Sequence, residues 1–138
     1  MTCRLTSFKA EHLLAIDYAE PMALDEQQLL SLGRTHEQGL AFSAECDGRI
    51  LGAAGIYRTS RQRAAVWAAF SHELLRDHAL WMHRHIRHVL DDTIRVLELR
   101  RVKAMVLHSQ PHYCRWIERL GFTPCLVAGE FIVYVREL

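Results

Sequence analysis

The sequence predicts an α/β (α+β) fold in a single domain that spans residues 1–138. Two observations predict it: apolar residues recur at helical steps of three and four in some segments, and they alternate or run continuously, as in strands, in others. Half of the residues are hydrophobic, so a chain of this length can bury its own core. The predicted order is helix, helix, strand, strand, strand, long helix, strand, helix, strand, and we expect a further strand near residues 124–128.

The first predicted helix runs from Phe8 to Tyr18, where leucine and isoleucine recur at helical spacing. Ser7 precedes it and is a residue type that caps helix N-termini by accepting a backbone hydrogen bond. Pro21 follows and cannot continue a helix. We therefore expect a short helix between Ser7 and Pro21.

A second predicted helix follows directly, because Leu29 and Leu32 share one helical face. Asp25 and Glu26 suit the positive end of its dipole. Gly33 is predicted to stop this helix, since glycine readily adopts the left-handed conformation found there.

A β-hairpin is predicted from LAFSAEC (residues 40–46) and RILGAAGIY (residues 49–57). Asp47 and Gly48 separate the two runs, and this dipeptide tolerates the positive φ angles of a tight hairpin turn. Residues 58–63 are polar and basic, and we interpret them as a link.

The middle of the chain combines a third strand and the longest helix. AAVWAAF (residues 64–70) is an apolar run of strand length. Ala79 to Leu97 has an apolar stripe at helical spacing, and Asp77 is the predicted N-cap of this helix.

The C-terminal part predicts a strand, a helix and a final strand. RVKAMVL (residues 101–107) and FIVYVREL (residues 131–138) have strand character. Between them lies QPHYCRWIERLGF, in which apolar residues recur at helical steps, Pro111 marks the start and Gly121 the end. This closing helix should pack against the sheet through its apolar stripe.

Charge and cysteine usage narrow the function class. The net charge is +1, so no basic surface typical of a nucleic-acid binder is expected. No apolar run approaches the roughly 20 residues of a spanning helix, so we expect no membrane partner. The cysteines are dispersed without a C-x-x-C pair and without a secretory leader, which predicts a cytoplasmic protein without disulfides; they are Cys3, Cys46, Cys114 and Cys125.

The element order and the end of the closing helix resemble the GNAT superfamily of acetyl-CoA-dependent N-acetyltransferases. Residues 101–107 look like the family's fifth strand, and Arg119 to Phe122 match its frequent closure of a basic residue, Leu, Gly and Phe. The resemblance implies a mixed, mostly antiparallel sheet with helices on both faces and splayed central strands. A looser resemblance is to the GNAT-like proteins of some bacteriophages.

The resemblance implies that acetyl-CoA binds beside the fourth strand, with its pyrophosphate at free backbone N–H groups where the long helix begins. The corresponding turn is SHELLRDHA, residues 71–79. Only Ala79 matches the family's loop, because Leu75 and Asp77 stand where glycines are usual, and Arg76 would offset the charge of Asp77. The cofactor-binding residues implied in this way are Val66, Ala68, Phe70, Arg76, Asp77, Ala79, Gln110 and Tyr113.

Many family members carry a tyrosine in the closing helix that protonates the departing CoA thiolate. Ile117 stands at that position here. Tyr113, one turn earlier, is therefore the predicted proton donor, and Cys114 is a weaker candidate. A core position for Tyr113 is the competing interpretation, because it lies on the apolar stripe.

The general base is predicted among His72, Glu73 and His78, which follow the third predicted strand, with Glu45 as another candidate. The competing interpretation is that these histidines are surface or capping groups.

Two pairs of histidines have spacings compatible with a shared helix face, His85 with His88 and His108 with His112. Neither motif places a third ligand. We therefore expect no metal site. We interpret the basic face of the long helix as a surface exposed to solvent.

The resemblance implies an acetyl-CoA-dependent N-acyltransferase acting on a primary amine of a small molecule or peptide. A second hypothesis is a GNAT-like scaffold that has lost catalysis and serves as a structural or interaction module, for example in a virion-associated assembly. In that case Trp67 or Trp81, if exposed, would mark an interface. A homodimer or an assembly partner is compatible with either hypothesis.

Overall fold

The computed structural model describes residues 2–19, 24–107, 109 and 111–138. Its strands are β1 (Cys3–Ser7), β2 (Leu40–Cys46), β3 (Arg49–Ser60), β4 (Arg63–Phe70), β5 (Arg101–Leu107), β6 (Thr123–Ala128) and β7 (Phe131–Glu137). Its helices are α1 (His12–Ala15), α2 (Glu26–Glu37), α3 (His72–Asp77), α4 (Ala79–Val96) and α5 (Pro111–Arg119).

The strands form one sheet in the order β1-β2-β3-β4-β5-β7-β6. Strands β4 and β5 are parallel, whereas β1 with β2, β2 with β3, β5 with β7 and β6 with β7 pair antiparallel. The predicted mixed, mostly antiparallel sheet is thus confirmed.

The chain forms two compact units. The first comprises Met1–Tyr57 and Ala68–Ile86, and the second comprises Arg58–Trp67 and Arg87–Leu138. The single domain stays a prediction. The core of the first unit includes Leu13, Ile16, Leu29, Phe70, Leu74 and Met82, and that of the second includes Leu90, Val102, Ile117, Leu120, Phe122 and Tyr134.

The β2–β3 hairpin confirms the prediction from its turn sequence. Asp47 has φ of 51° and Gly48 of 80°, as a tight turn between twisted strands requires. Strand β3 continues to Ser60, so the predicted link over residues 58–63 is wrong. The polar side chains there belong to strand ends that face solvent.

The N-terminus differs from the prediction. Ser7 is the last residue of strand β1, which pairs with β2, and it caps no helix. Helix α1 begins after Glu11 and is much shorter than predicted. The cause is tertiary: pairing with β2 holds residues 3–7 extended despite the cap-like serine. Pro21 lies outside the described residues.

Helix α2 has the predicted start and a later end. The Asp25 carboxylate accepts from the backbone N–H of Gln28 at 2.8 Å, and the Gln28 side chain accepts from the backbone N–H of Asp25 at 2.9 Å. Gly33 lies within the helix, so its predicted role as a stop is wrong. A Cβ at Gly33 would lie 2.8 Å from the Cα of Ala10, so this glycine permits close packing.

The C-terminal elements agree with prediction. Helix α5 begins at Pro111, and Gly121 beyond its end has φ of 95°, the left-handed conformation of a helix stop. Both predicted strands after it are present as β6 and β7.

The expectation of no disulfide is wrong, because Cys3 and Cys46 form one. They are register partners on β1 and β2, although they are separated by 43 residues in sequence. The cytoplasmic location, inferred in part from unpaired cysteines, stays a prediction. Among the described helices, none has the length and apolar character needed to cross a bilayer.

Candidate functional site

The segment predicted as a phosphate-binding turn is mostly helical. Ser71 caps α3, since its hydroxyl accepts from the backbone N–H of Leu74 at 3.1 Å, and its own N–H donates to the Leu51 carbonyl at 2.9 Å. Leu74 is fully buried. The capped first turn and the buried leucine favour a helix, so the prediction of an open turn over residues 71–79 is wrong.

Asp77 ends α3 and does not cap the long helix as predicted. Its carboxylate accepts hydrogen bonds from Arg76 Nε at 2.8 Å and Nη2 at 2.9 Å. This contact lowers the pKa of Asp77 and raises the pKa of Arg76. Both side chains are exposed, and the guanidinium is already engaged by a carboxylate.

Helix α4 begins at Ala79, as predicted for the long helix. Ala79 and Leu80 are exposed. The first N–H groups of an α-helix have no partner within the helix, so residues 79–81 offer donors to an anion.

The predicted bases have different surroundings. His72 is the first residue of α3 and is exposed. Glu73 accepts from both terminal nitrogens of Arg49, at 3.0 and 2.7 Å, and this pairing raises the pKa of Arg49. Glu45 accepts from Arg4 at 3.1 Å. His72 is therefore the more accessible base.

His78 lies between α3 and α4 and faces the disulfide. Its Nδ1 is 3.6 Å from Cys3 Sγ, and its buried Nε2 has no hydrogen-bond partner among the described residues. The structure thus groups His78 with Cys3 and Cys46, whereas Glu73 pairs with Arg49 and His72 is exposed.

The predicted contacts on β4 differ in exposure. Val66 is half-buried, Ala68 is exposed and the Phe70 side chain is 1% exposed. The Phe70 carbonyl accepts from the Ala19 N–H at 3.0 Å. The Phe70 ring is core, so contact with a ligand would have to come from its backbone.

The β4–β5 ladder pairs Arg63 to Val66 with Arg101 to Ala104. Both strands continue past this ladder, to Phe70 and Leu107.

Tyr18 and His12 are perturbed groups that sequence reasoning missed. The Tyr18 hydroxyl donates to the Leu13 carbonyl at 2.6 Å, and burial raises the pKa of Tyr18 to about 12. His12 Nδ1 is 2.7 Å from Ser43 Oγ, and burial lowers the pKa of His12. Both residues lay in the predicted helix from Phe8 to Tyr18, but Ser43 on β2, the partner of His12, could not be predicted from the sequence.

In the second unit, Tyr113 is half-buried on α5, and Ile117 is a core residue with 4% exposure. The Cys114 thiol donates to the Leu107 carbonyl at 3.9 Å. Tyr134 on β7 is buried, and burial first, then its hydrogen bond with Cys114, raises its pKa to about 12. Tyr134 was missed because a tyrosine in an apolar strand has no distinguishing pattern.

Several other predicted positions have partners or lie outside the described residues. His85 Nδ1 is 2.8 Å from the Trp81 carbonyl, and His88 pairs with Asp92 at 3.2 Å, so the two rings have different partners. Trp67 and Trp81 are half-buried, and their role at an interface stays a prediction. Gln110 and His108 lie outside the described residues.

No protein-family model matches the sequence, and no curated protein matches it. Solved structures do resemble it. Ard1 from Thermoplasma volcanium has a TM-score of 0.78 at 12% identity, covering 100% of this chain and 99% of that one. An acetyltransferase from Streptococcus agalactiae has a TM-score of 0.76 at 11% identity, covering 99% and 98%.

A GNAT-family acetyltransferase from Bacillus anthracis has a TM-score of 0.69 at 11% identity, covering 98% of this chain and 94% of that one. At identities this low, the structural similarity establishes the fold but not the reaction, which has to be inferred from the residues of the site. The chain therefore has the fold of the GNAT acetyltransferases.

Proposed function

We propose that the chain is an N-acyltransferase that moves the acetyl group of acetyl-CoA to a primary amine. The observation that supports this most is the GNAT fold, matched over nearly the whole chain. The similar structures include a spermidine N-acetyltransferase chimera from Vibrio cholerae and hSSAT, with a TM-score of 0.66 at 14% identity and coverages of 99% and 96%. Spermidine is a polyamine, which motivates an amine acceptor here.

The start of α4 fits an anionic cofactor in part. Exposed Ala79 leaves the first N–H groups of the helix accessible, and the neighbouring Arg76–Asp77 pair carries no net charge. In the proposed enzyme these N–H groups bind the pyrophosphate, and backbone N–H groups of β4, near Val66 and Ala68, stabilise the negative charge on the thioester oxygen.

His72 is the proposed base, because it is the accessible member of the predicted set. It removes a proton from the ammonium form of the substrate, and the neutral nitrogen then attacks the thioester carbonyl. That nitrogen loses a second proton to solvent as the C–S bond breaks and the amide forms. Tyr113 gives its proton to the departing sulfur. The amine is thereby acetylated, and free CoA leaves.

A scaffold without catalysis is the second candidate, and helix α3 is the observation that favours it. Leu75 and Asp77 lie in or at the end of a helix where the family's loop has glycines. Ile117 is buried where many members carry the proton-donating tyrosine.

Calorimetric titration of acetyl-CoA into the full chain distinguishes binding from none. We expect a 1:1 complex that also raises the melting temperature, since a ligand of the native state stabilises it. Ala79→Glu should weaken binding by about tenfold or more, because it adds negative charge beside the pyrophosphate. Val96→Glu is the matched control, because it adds the same charge at the exposed opposite end of α4. No binding by a folded wild-type protein would reject the proposal.

A further inference from the structure

Cys3, Cys46 and His78 bring three metal-binding atoms together outside the proposed acyl-transfer residues. The two Sγ atoms and a ring nitrogen of His78 all lie within 4.8 Å of one another. Cys46 is fully buried, while Cys3 and His78 are half-buried. The group is therefore shielded from bulk water yet reachable from one side.

Secondary structure fixes the three positions. Cys3 and Cys46 face each other because they are register partners on β1 and β2. His78 is held at the end of α3, where its backbone N–H donates to the Leu74 carbonyl at 3.1 Å. The ring therefore faces Cys3 without needing a flexible loop.

The His78 ring is incompletely satisfied in the disulfide form. Nδ1 is 3.6 Å from Cys3 Sγ, and a disulfide sulfur is at most a weak hydrogen-bond acceptor. Nε2 is buried without a hydrogen-bond partner among the residues described. Buried polar atoms normally have partners, so neither ring nitrogen has a strong hydrogen bond to the described residues in the disulfide form.

We propose that, once the disulfide is reduced, Cys3, Cys46 and His78 bind one Zn²⁺-like divalent metal ion, with water as the fourth ligand. Two thiolates and one imidazole are a known zinc ligand set with an open fourth position. A tetrahedral ion with bonds of about 2.3 Å to sulfur and about 2.05 Å to nitrogen holds those two atoms about 3.6 Å apart. The Cys3 Sγ to His78 Nδ1 distance is 3.6 Å.

Reduction of the Cys3–Cys46 disulfide supplies the two sulfur ligands. A phosphine gives two electrons to the S–S bond and becomes the phosphine oxide with an oxygen from water, and two thiols form. Metal binding then releases the two thiol protons to solvent, because thiolates are the ligands. The sulfurs must separate to about 3.8 Å at a tetrahedral ion, and Cys3 can move because β1 is an edge strand.

The test is titration of the full chain with Co²⁺, which replaces Zn²⁺ and reports thiolate ligation by visible and near-ultraviolet absorption. Protein reduced with a phosphine should bind one Co²⁺ with thiolate charge-transfer bands, and Zn²⁺ should remove them. Oxidised protein should show no such bands. Variants Cys3→Ser and His78→Gln should each weaken Co²⁺ binding by about tenfold or more, in line with loss of a ligand.

Cys125→Ser is the matched control, because Cys125 is an exposed free cysteine on β6. It should leave the bands unchanged. Circular dichroism of the reduced protein confirms that the fold is kept, and His78→Gln tests the site without altering either cysteine. The proposal is overturned if reduced, folded wild type gives no bands, or if the bands persist in Cys3→Ser and disappear in Cys125→Ser.

Discussion

The guanidinium of Arg76 binds the carboxylate of the adjacent Asp77 through two hydrogen bonds, Nε to Oδ1 at 2.8 Å and Nη2 to Oδ2 at 2.9 Å. The pair stands immediately before the start of α4, where the proposed cofactor pyrophosphate binds. In this arrangement the arginine neutralises a neighbouring acid and is not free to bind phosphate.

Replacing Asp77 with asparagine should therefore tighten acetyl-CoA binding several-fold. The change removes one negative charge near the proposed pyrophosphate site and releases Arg76. Calorimetric titration at low and high salt measures the affinity for acetyl-CoA. The increase in affinity should be smaller at high salt, because exposed charges are screened.

Asp92→Asn is the control for this prediction. It also frees an arginine, Arg95, which Asp92 binds at 2.9 Å near the end of α4. Equal tightening in both variants would show that the effect is one of overall charge, and weaker binding in Asp77→Asn would contradict the placement of the pyrophosphate.

Tyr113→Phe should lower kcat by about a hundredfold while leaving the KM for acetyl-CoA nearly unchanged, because a general acid acts in the transition state. Tyr57→Phe is the control, since Tyr57 is 45% exposed on β3. Steady-state kinetics with a fixed amine measure both variants. An unchanged kcat in Tyr113→Phe would show that another group protonates the CoA sulfur. Cys114→Ser would then test the Cys114 thiol as that group.

Gly33→Ala should destabilise the protein by about 1–3 kcal/mol, the usual cost of overpacking a tight contact. The new Cβ would lie 2.8 Å from the Ala10 Cα and 2.9 Å from its Cβ. Urea unfolding measures the loss. Ser31→Ala, at an exposed position of the same helix, should be neutral or slightly stabilising, because alanine is the better helix former. Equal stability of Gly33→Ala and wild type would mean that α2 is not so closely packed against Ala10.

Acidification should reduce the free energy of unfolding in part through His12. Its pKa is lowered in the folded state by burial and then by Lys9, so below pH 6.5 the His12 ring binds more protons in the unfolded chain than in the folded one. The stabilisation is present above pH 6.5 and is lost as the pH falls through the folded-state pKa.

Unfolding of wild type and His12→Gln between pH 5 and 8 measures this contribution. The variant should show a shallower loss on acidification. His88→Gln, which removes an exposed histidine from α4, is the control for the loss of an imidazole elsewhere in the chain. A parallel pH dependence for His12→Gln and wild type would rule out His12 as a source of the effect.

Local signals predicted much of the fold. The Asp47–Gly48 turn predicted the hairpin because its positive φ angles are a property of that dipeptide. Pro111 and Gly121 predicted the bounds of α5 for similar reasons. These features depend on a few neighbouring residues and so can be read from sequence.

The failures depend on contacts between residues distant in sequence. Gly33 does not end α2. It lies inside the helix, where the absence of a side chain permits close contact with Ala10. The disulfide requires the β1–β2 register, and strand β1 itself was missed. Helix α3 was taken for a turn because the family's loop was expected there, although Leu74 anchors it in the core.

Acetylation of a primary amine is the measurement that tests the central proposal most directly. The protein is incubated with acetyl-CoA and a panel of amines that includes spermidine, and mass spectrometry detects an amine carrying one added acetyl group. We predict turnover that His72→Ala strongly reduces and His88→Ala does not. Acetyl-CoA binding without any acetylated amine, in a folded wild-type protein, would contradict the enzyme and support the scaffold.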